Sequence, residues 1–188
     1  MKQRKFITRN EIDGLLTATK QGRHAERDYC LLLMGFLHGF RVSELSRLSL
    51  HDIDLVQKII YVRRLKKGLS TIQPLHPTEI NALEAWLEKR LLFTASEDKW
   101  LFISQKHQPL SRYQIFRLIE KYGKLAGLTV KVHPHMLRHA CGYALADLGR
   151  DTRLIQDYLG HRNISHTVIY TASNEKRFNG IWGTLNNE

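Results

Sequence analysis

Two β-rich runs in an otherwise helical chain, Ile59-Ile-Tyr-Val-Arg63 and Ser70-Thr-Ile-Gln73, constrain the fold most. They flank Lys66-Lys-Gly68, so the spacing predicts a hairpin. Helical signals stand on both sides of it. Thr8-Arg-Asn-Glu11 is a capping box, opening a helix whose Ile12, Leu15 and Leu16 share a face. Residues 25–38 are dense in apolar side chains, as a central helix must be, and stop at Gly39. A short helix is predicted from Ser43 to Leu48, and Pro77 starts another, with Ile80, Leu83, Leu87 and Leu91 as its stripe. Trp100-Leu-Phe-Ile103 reads as a brief third strand. From Ser111, an N-cap, helices are predicted over 111–126, 135–148, 151–159 and 165–171, with Gly127, Gly149 and Gly160 at the stops. The expectation is a single helix-rich α+β domain over residues 1–188 with one small antiparallel sheet.

Charge supplies the first functional clue. Lysine and arginine number 29 against 18 acidic residues, leaving +11, with ten histidines besides. A surplus of this size points to a polyanion, nucleic acid before membrane; solubility alone is the bland alternative. Cys30 and Cys141 sit among apolar neighbours and read as buried, reduced thiols. The opening Met-Lys-Gln-Arg-Lys lacks the apolar stretch of a signal peptide, and Leu31 to Met34 is too short a run to span a bilayer. An intracellular protein with no membrane partner is expected.

Basic and aromatic residues stand where a core pattern would not put them. Arg41 follows the exit of the most apolar helix, with Glu44 three residues on; His135 and Arg138 lie about one helical turn apart. Leu159-Gly-His161 comes next, then Tyr170, and the hairpin carries lysines. Phosphoryl transfer on a diester needs this set. Arginine forks hold two non-bridging oxygens and keep their charge. Histidines donate further hydrogen bonds as charge grows in the transition state. A tyrosine oxygen can attack phosphorus and conserve the diester in a covalent link, and a lysine can protonate the departing sugar oxygen. Such chemistry requires neither ATP nor metal, so no cofactor is expected.

The pattern Arg41…Lys66…His135-x-x-Arg138…His161…Tyr170 resembles the tyrosine recombinase (phage-integrase-like) superfamily. It is most similar to the short fimbrial phase-switch invertases, through His133-Pro-His-Met-Leu-Arg-His-Ala-Cys-Gly142 and Thr152-Arg-Leu-Ile-Gln-Asp-Tyr-Leu-Gly-His-Arg-Asn163. The resemblance implies that family's catalytic fold. It assigns Arg41, His135, Arg138 and His161 to the scissile phosphate, Tyr170 to a 3′-phosphotyrosine link, and Glu44 to a supporting role. Lys66 falls on the family's hairpin lysine when Pro74-Leu75 is the anchor, with Lys67 as the alternative. It implies no separate N-terminal domain of the kind that closes a clamp on DNA in most members. The partners implied are double-stranded DNA with inverted repeats, other copies of the chain in a tetramer, and accessory DNA-bending proteins. The setting implied is the bacterial cytoplasm, at the nucleoid, with inversion of a promoter-bearing segment for fimbrial phase variation. A type IB topoisomerase-like enzyme and a non-catalytic DNA-binding regulator are the alternatives.

By the same resemblance the helix from Ser111 enters the major groove, carrying Arg112, Tyr113, Gln114 and Arg117 on its first turns. Arg63, Arg64, Arg150, Arg153 and Arg162 are expected on the DNA backbone. Each residue also has a plainer reading. Arg41 could be a charge at a helix end, Tyr170 a core aromatic, and His135 with His139 a zinc pair lacking a third ligand. In the tail, 172–188, Phe178, Ile181, Trp182 and Leu185 share one helical face, and the resemblance implies docking on a neighbouring protomer.

Overall fold

The computed structural model of the chain describes residues 6–65, 68–92 and 98–178. The hairpin lysines Lys66 and Lys67, and the tail beyond Phe178, lie outside the described residues. Helix α1 (Arg9–Ala18) begins with the expected capping box: Thr8 donates its backbone N–H to Glu11 Oε2 at 2.7 Å, and the Glu11 N–H reaches Thr8 Oγ1 at 3.4 Å. Helix α2 (Ala25–Leu37) is the centre of the molecule. Cys30, Leu31, Leu32 and Met34 are fully buried, and burying each apolar side chain of this size contributes about 1.5–3 kcal/mol.

A tight turn leaves α2 through Gly39 at φ +55°, and a Cβ there would run into Leu159 and Cys141. The short α3 (Val42–Leu45) follows and stops three residues before the predicted end at Leu48: there the chain tightens, with Leu48 N–H bonding to Leu45 O. The sheet is β1 (Ile53–Asp54), β2 (Ile59–Val62) and β3 (Thr71–Pro74), antiparallel in the order β1-β2-β3. Ile60 pairs with Gln73 on the buried face, and Tyr61 with Ile72 on the exposed one. The expected strand at Trp100–Ile103 is not part of this sheet. It makes only isolated bridges, Ser49 to Trp100 and Ile103 to Pro109, because side chains take its carbonyls. Trp86 Nε1 donates to Leu101 O at 3.0 Å, and Arg90 donates to Trp100 O at 2.9 Å.

Helix α4 (Pro77–Leu91) packs on α2 with a face rotated from the predicted stripe. Leu83 and Trp86 are buried while Leu91 is 75% exposed. The rotation brings Glu79 inside, where His38 Nε2 meets its carboxylate at 2.7 Å and His38 Nδ1 meets Gln73 Oε1 at 2.6 Å. Helices α5 (Arg112–Leu125), α6 (Pro134–Asp147), α7 (Thr152–Leu159) and α8 (Ser165–Ala172) complete the chain at the predicted places. Gly160, at φ +66°, closes α7 and turns the chain towards α8. Cys30 and Cys141 are both buried and unbridged. Among the described residues no helix is long and apolar enough to cross a membrane.

Candidate active site

The turn after α2 organises a cluster of arginines. Arg41 is the N-cap residue of α3, and Glu44, one turn on, accepts both the Arg41 N–H at 2.9 Å and its guanidinium at 2.7 Å. Glu44 also accepts Arg64 at 3.0 Å and the Leu65 N–H at 3.2 Å. Burial works against its charge, yet the Arg41 N–H and the Arg64 guanidinium hold the carboxyl below its ordinary pKa. Arg138 reaches the same turn from the middle of α6, donating to Gly39 O at 2.5 Å and Leu159 O at 2.7 Å. Burial, then the charges of Arg64 and Arg41, push Arg138 down to about 10, so it stays cationic at neutral pH. Three guanidiniums thus face one carboxylate. A bound anion would relieve their repulsion.

His161 sits just past Gly160, buried, with Nδ1 2.9 Å from the hydroxyl of the fully buried Thr167 on α8. Desolvation first, then Arg138 and Arg41, lowers it to about 3, so the ring is neutral at physiological pH. Tyr170, on α8, is 1% exposed. Its ring lies near-parallel to His161 at 6.4 Å and edge-on to Tyr143 at 5.1 Å. Gly142 on α6 makes the seat: a Cβ there would stand 2.6 Å from the Tyr170 ring. The hydroxyl meets His139 Nδ1 at 3.0 Å. Burial raises the phenol to about 12, a rise that Arg138 opposes.

The structure therefore gathers Arg41, Glu44, Arg138, His161 and Tyr170 at one place. His135 is at the exposed edge, its ring 4.6 Å from that of His139. His139 turns Nδ1 to Tyr170 instead of sharing a metal with His135; no metal-binding group of three ligands occurs among the described residues. One assignment is overturned. Arg64 was expected on the DNA backbone, but its side chain is fully buried, donating to Glu44, His38 O at 2.8 Å and Tyr158 O at 2.7 Å. Carbonyls and a carboxylate of the fold already occupy it, so it acts as an internal strut. Sequence reasoning weighed His139 only as a zinc partner of His135, and it passed over Gly142 and Thr167. His139 and Gly142 lay in the quoted His133–Gly142 segment, one helical turn beyond His135 and Arg138 respectively.

The other DNA candidates are at the surface. Arg112, Gln114, Arg117, Arg150, Arg153, Arg162 and Arg63 are all exposed. Gln114 is partly engaged, its Oε1 accepting the Ser111 N–H at 2.8 Å in the α5 capping box. Arg63 pairs with Asp52, Arg117 with Glu120 and Arg153 with Asp157, pairs that solvent weakens. Arg47, which the sequence reading did not single out, lines a cleft with Ser43, Ser46, Leu65, Ser111 and Arg112 between α3 and the start of α5.

Helical bundle, small sheet and arginine–histidine–tyrosine cluster together define a tyrosine recombinase catalytic domain. The chain belongs to the phage integrase family, which it matches over residues 5–177. It is 57% identical over 181 residues to type 1 fimbriae regulatory protein FimB of Escherichia coli strain K12, covering 96% of this chain and 90% of FimB. Type 1 fimbriae regulatory protein FimE of the same strain is 49% identical over 183 residues, covering 97% of this chain and 92% of FimE. The crystal structure of XerA recombinase matches with a TM-score of 0.82 at 30% identity, over 97% of this chain. The match takes in 65% of the XerA chain, so this chain spans slightly less than two thirds of that protein.

Proposed function

We propose that this protein inverts a DNA segment between inverted repeats, through a 3′-phosphotyrosine formed by Tyr170, as a switch for fimbrial genes. The observation that carries the chemistry is the surplus of arginines around Glu44, with Arg138 near enough to Tyr170 to oppose the rise of its phenol pKa. Arg41 and Arg138 fork the non-bridging oxygens of the scissile phosphate and gain strength as charge develops there. Glu44 orients Arg41. His161 Nδ1 shares a hydrogen bond with the Thr167 hydroxyl; with that hydroxyl as the donor, the ring keeps its proton on Nε2 to bind a phosphate oxygen. His135 adds a donor at the open edge. Lys66, by resemblance, protonates the leaving 5′-oxygen.

Joining two duplexes at two sites takes four strand cuts, and one tyrosine per chain then calls for four copies on DNA. Arg112 and Arg117 on α5 meet base edges, and Gln114 contributes its amide donors. Arg63, Arg150, Arg153 and Arg162 hold the backbone. The kinship to FimB and FimE, both named as type 1 fimbriae regulators, supports a fimbrial switch as the purpose.

Sequencing across the gene's neighbourhood in a growing culture should find one segment in both orientations between inverted repeats. A nicked duplex built from that repeat should trap a covalent adduct with the wild type and none with Tyr170→Phe. Adduct formation by the phenylalanine variant would remove Tyr170 from the chemistry. No adduct with the wild type would leave a DNA-binding regulator.

A further inference from the structure

The cluster holds three imidazoles near the tyrosine, and only one is aimed at its reacting atom. His161 lies near-parallel to the Tyr170 ring and gives its Nδ1 to Thr167. His135 stands behind His139, meeting that ring edge-on. His139 Nδ1 is 3.0 Å from the Tyr170 oxygen, within direct proton-transfer reach. The approach is built into α6. Gly142, one turn after His139, leaves room for the Tyr170 ring to lie on the helix, which brings its hydroxyl to the imidazole.

We propose that His139 is the general base of DNA cleavage, its Nδ1 accepting the Tyr170 proton as the phenolic oxygen attacks phosphorus. The inference rests on Tyr170 being the nucleophile. A buried phenol whose pKa stands near 12 keeps its proton at neutral pH, so attack requires a nearby acceptor. In the forward step the Tyr170 oxygen bonds to phosphorus while its O–H bond breaks, and the proton goes to Nδ1. The bond from phosphorus to the 5′-oxygen breaks with its electron pair, and that oxygen takes a proton from the hairpin lysine. In religation the 5′-hydroxyl attacks phosphorus and gives its proton back to the neutral lysine amine, while the bond from phosphorus to the Tyr170 oxygen breaks and the His139 imidazolium returns its proton to that oxygen. Every proton is recovered within one cleavage and rejoining cycle.

The test compares full-length His139→Ala and His139→Asn on nicked duplexes carrying the protein's own inverted repeat, with a normal or a 5′-bridging sulfur at the scissile phosphate. Sulfur leaves without protonation, so it relieves the loss of an acid and not the loss of a base. Both variants should cleave either duplex about 100-fold or more below the wild-type rate, the usual worth of a general base, while Lys66→Ala recovers on the sulfur duplex. Asparagine can still hydrogen-bond the phenol but cannot take its proton. Near-normal cleavage by His139→Asn would therefore reduce His139 to a spacer and overturn the proposal. Recovery of either variant on the sulfur duplex would overturn it too, by making His139 the acid.

A readout free of DNA guards against misfolded variants. In the wild type, the 15N chemical shift of His139 Nδ1 should be that of an unprotonated acceptor and should move in Tyr170→Phe. A protonated Nδ1 at neutral pH contradicts the assignment. If Tyr170→Phe still forms the adduct, the tyrosine itself is misassigned and the base falls with it. If Tyr170→Phe is inert and His139→Asn is active, only the base is wrong.

Discussion

Arg64 and Arg138 donate to one carbonyl oxygen, that of Gly39, from β2's exit and from α6. The arginine proposed to hold phosphate is thereby tied to an arginine that no solvent reaches, and both depend on the turn that only glycine makes comfortably there.

Arg64→Ala leaves Glu44 with one charged partner fewer and strips donors from the carbonyls of His38 and Tyr158. Removing one member of a buried ion pair typically destabilises by about 3–5 kcal/mol. Urea unfolding should show a loss of that order, with cleavage falling as Arg41 loses its fixed neighbour. An unchanged midpoint with weaker DNA binding would mean that Arg64 reaches DNA after all.

Gly142→Ala should act against the usual helical trend. Alanine is normally about 1 kcal/mol better than glycine inside a helix. Here its methyl group would press into the Tyr170 ring, so stability and cleavage should both fall. Pairing it with Tyr170→Ala should recover the lost stability and expose a coupling in a double-mutant cycle. Simple additivity of the two substitutions would show that the ring does not rest on Gly142.

His161 gives a pH dependence with a definite sign. Its folded pKa, near 3, lies below the ordinary 6.5, so between these values the unfolded chain binds the extra proton. Stability from this group is therefore full above pH 6.5 and is lost as pH falls towards 3. Melting temperatures of His161→Asn, measured from pH 7 down to pH 4, should decline less steeply than those of the wild type. Parallel curves would deny His161 a buried, neutral state.

DNA affinity should fall steeply with salt, the log–log slope growing by about 0.9 for each phosphate contacted. Arg112→Ala should flatten the preference among related sites, whereas Arg150→Ala should weaken all of them alike and lower the salt slope by about one. Binding titrations at several salt concentrations separate the two. Equal, sequence-blind losses would place α5 outside the groove.

Much of the fold is written in local pattern. The cap residues Thr8, Ser111 and Asp151 start the helices they were expected to start or adjoin, because a side-chain oxygen within three residues satisfies the first free N–H groups. Gly39 and Gly160 end theirs because each needs a positive φ. The candidate site residues were singled out from the same stretches, and the fold brings Arg41, Arg138, His161 and Tyr170 together. Local pattern fails where partners come from far along the chain. Trp100–Ile103 has a strand's composition, but the carbonyls that a ladder needs are taken by Trp86 and Arg90.

The sequence by itself determined which segments are helical, where they stop and which ionisable residues crowd the stops, all matters of neighbours within a turn or two. Tertiary structure alone decided where each charge points. Arg63 and Arg64 are adjacent at the end of a strand, and successive side chains there face opposite ways. Packing of the sheet against the end of α2 and against α7 turned Arg64 inward and left Arg63 to solvent. His139 likewise shared a helical face with His135 in any reading. Only the arrival of α8, 31 residues later in the chain, aimed it at the Tyr170 hydroxyl instead of at a metal.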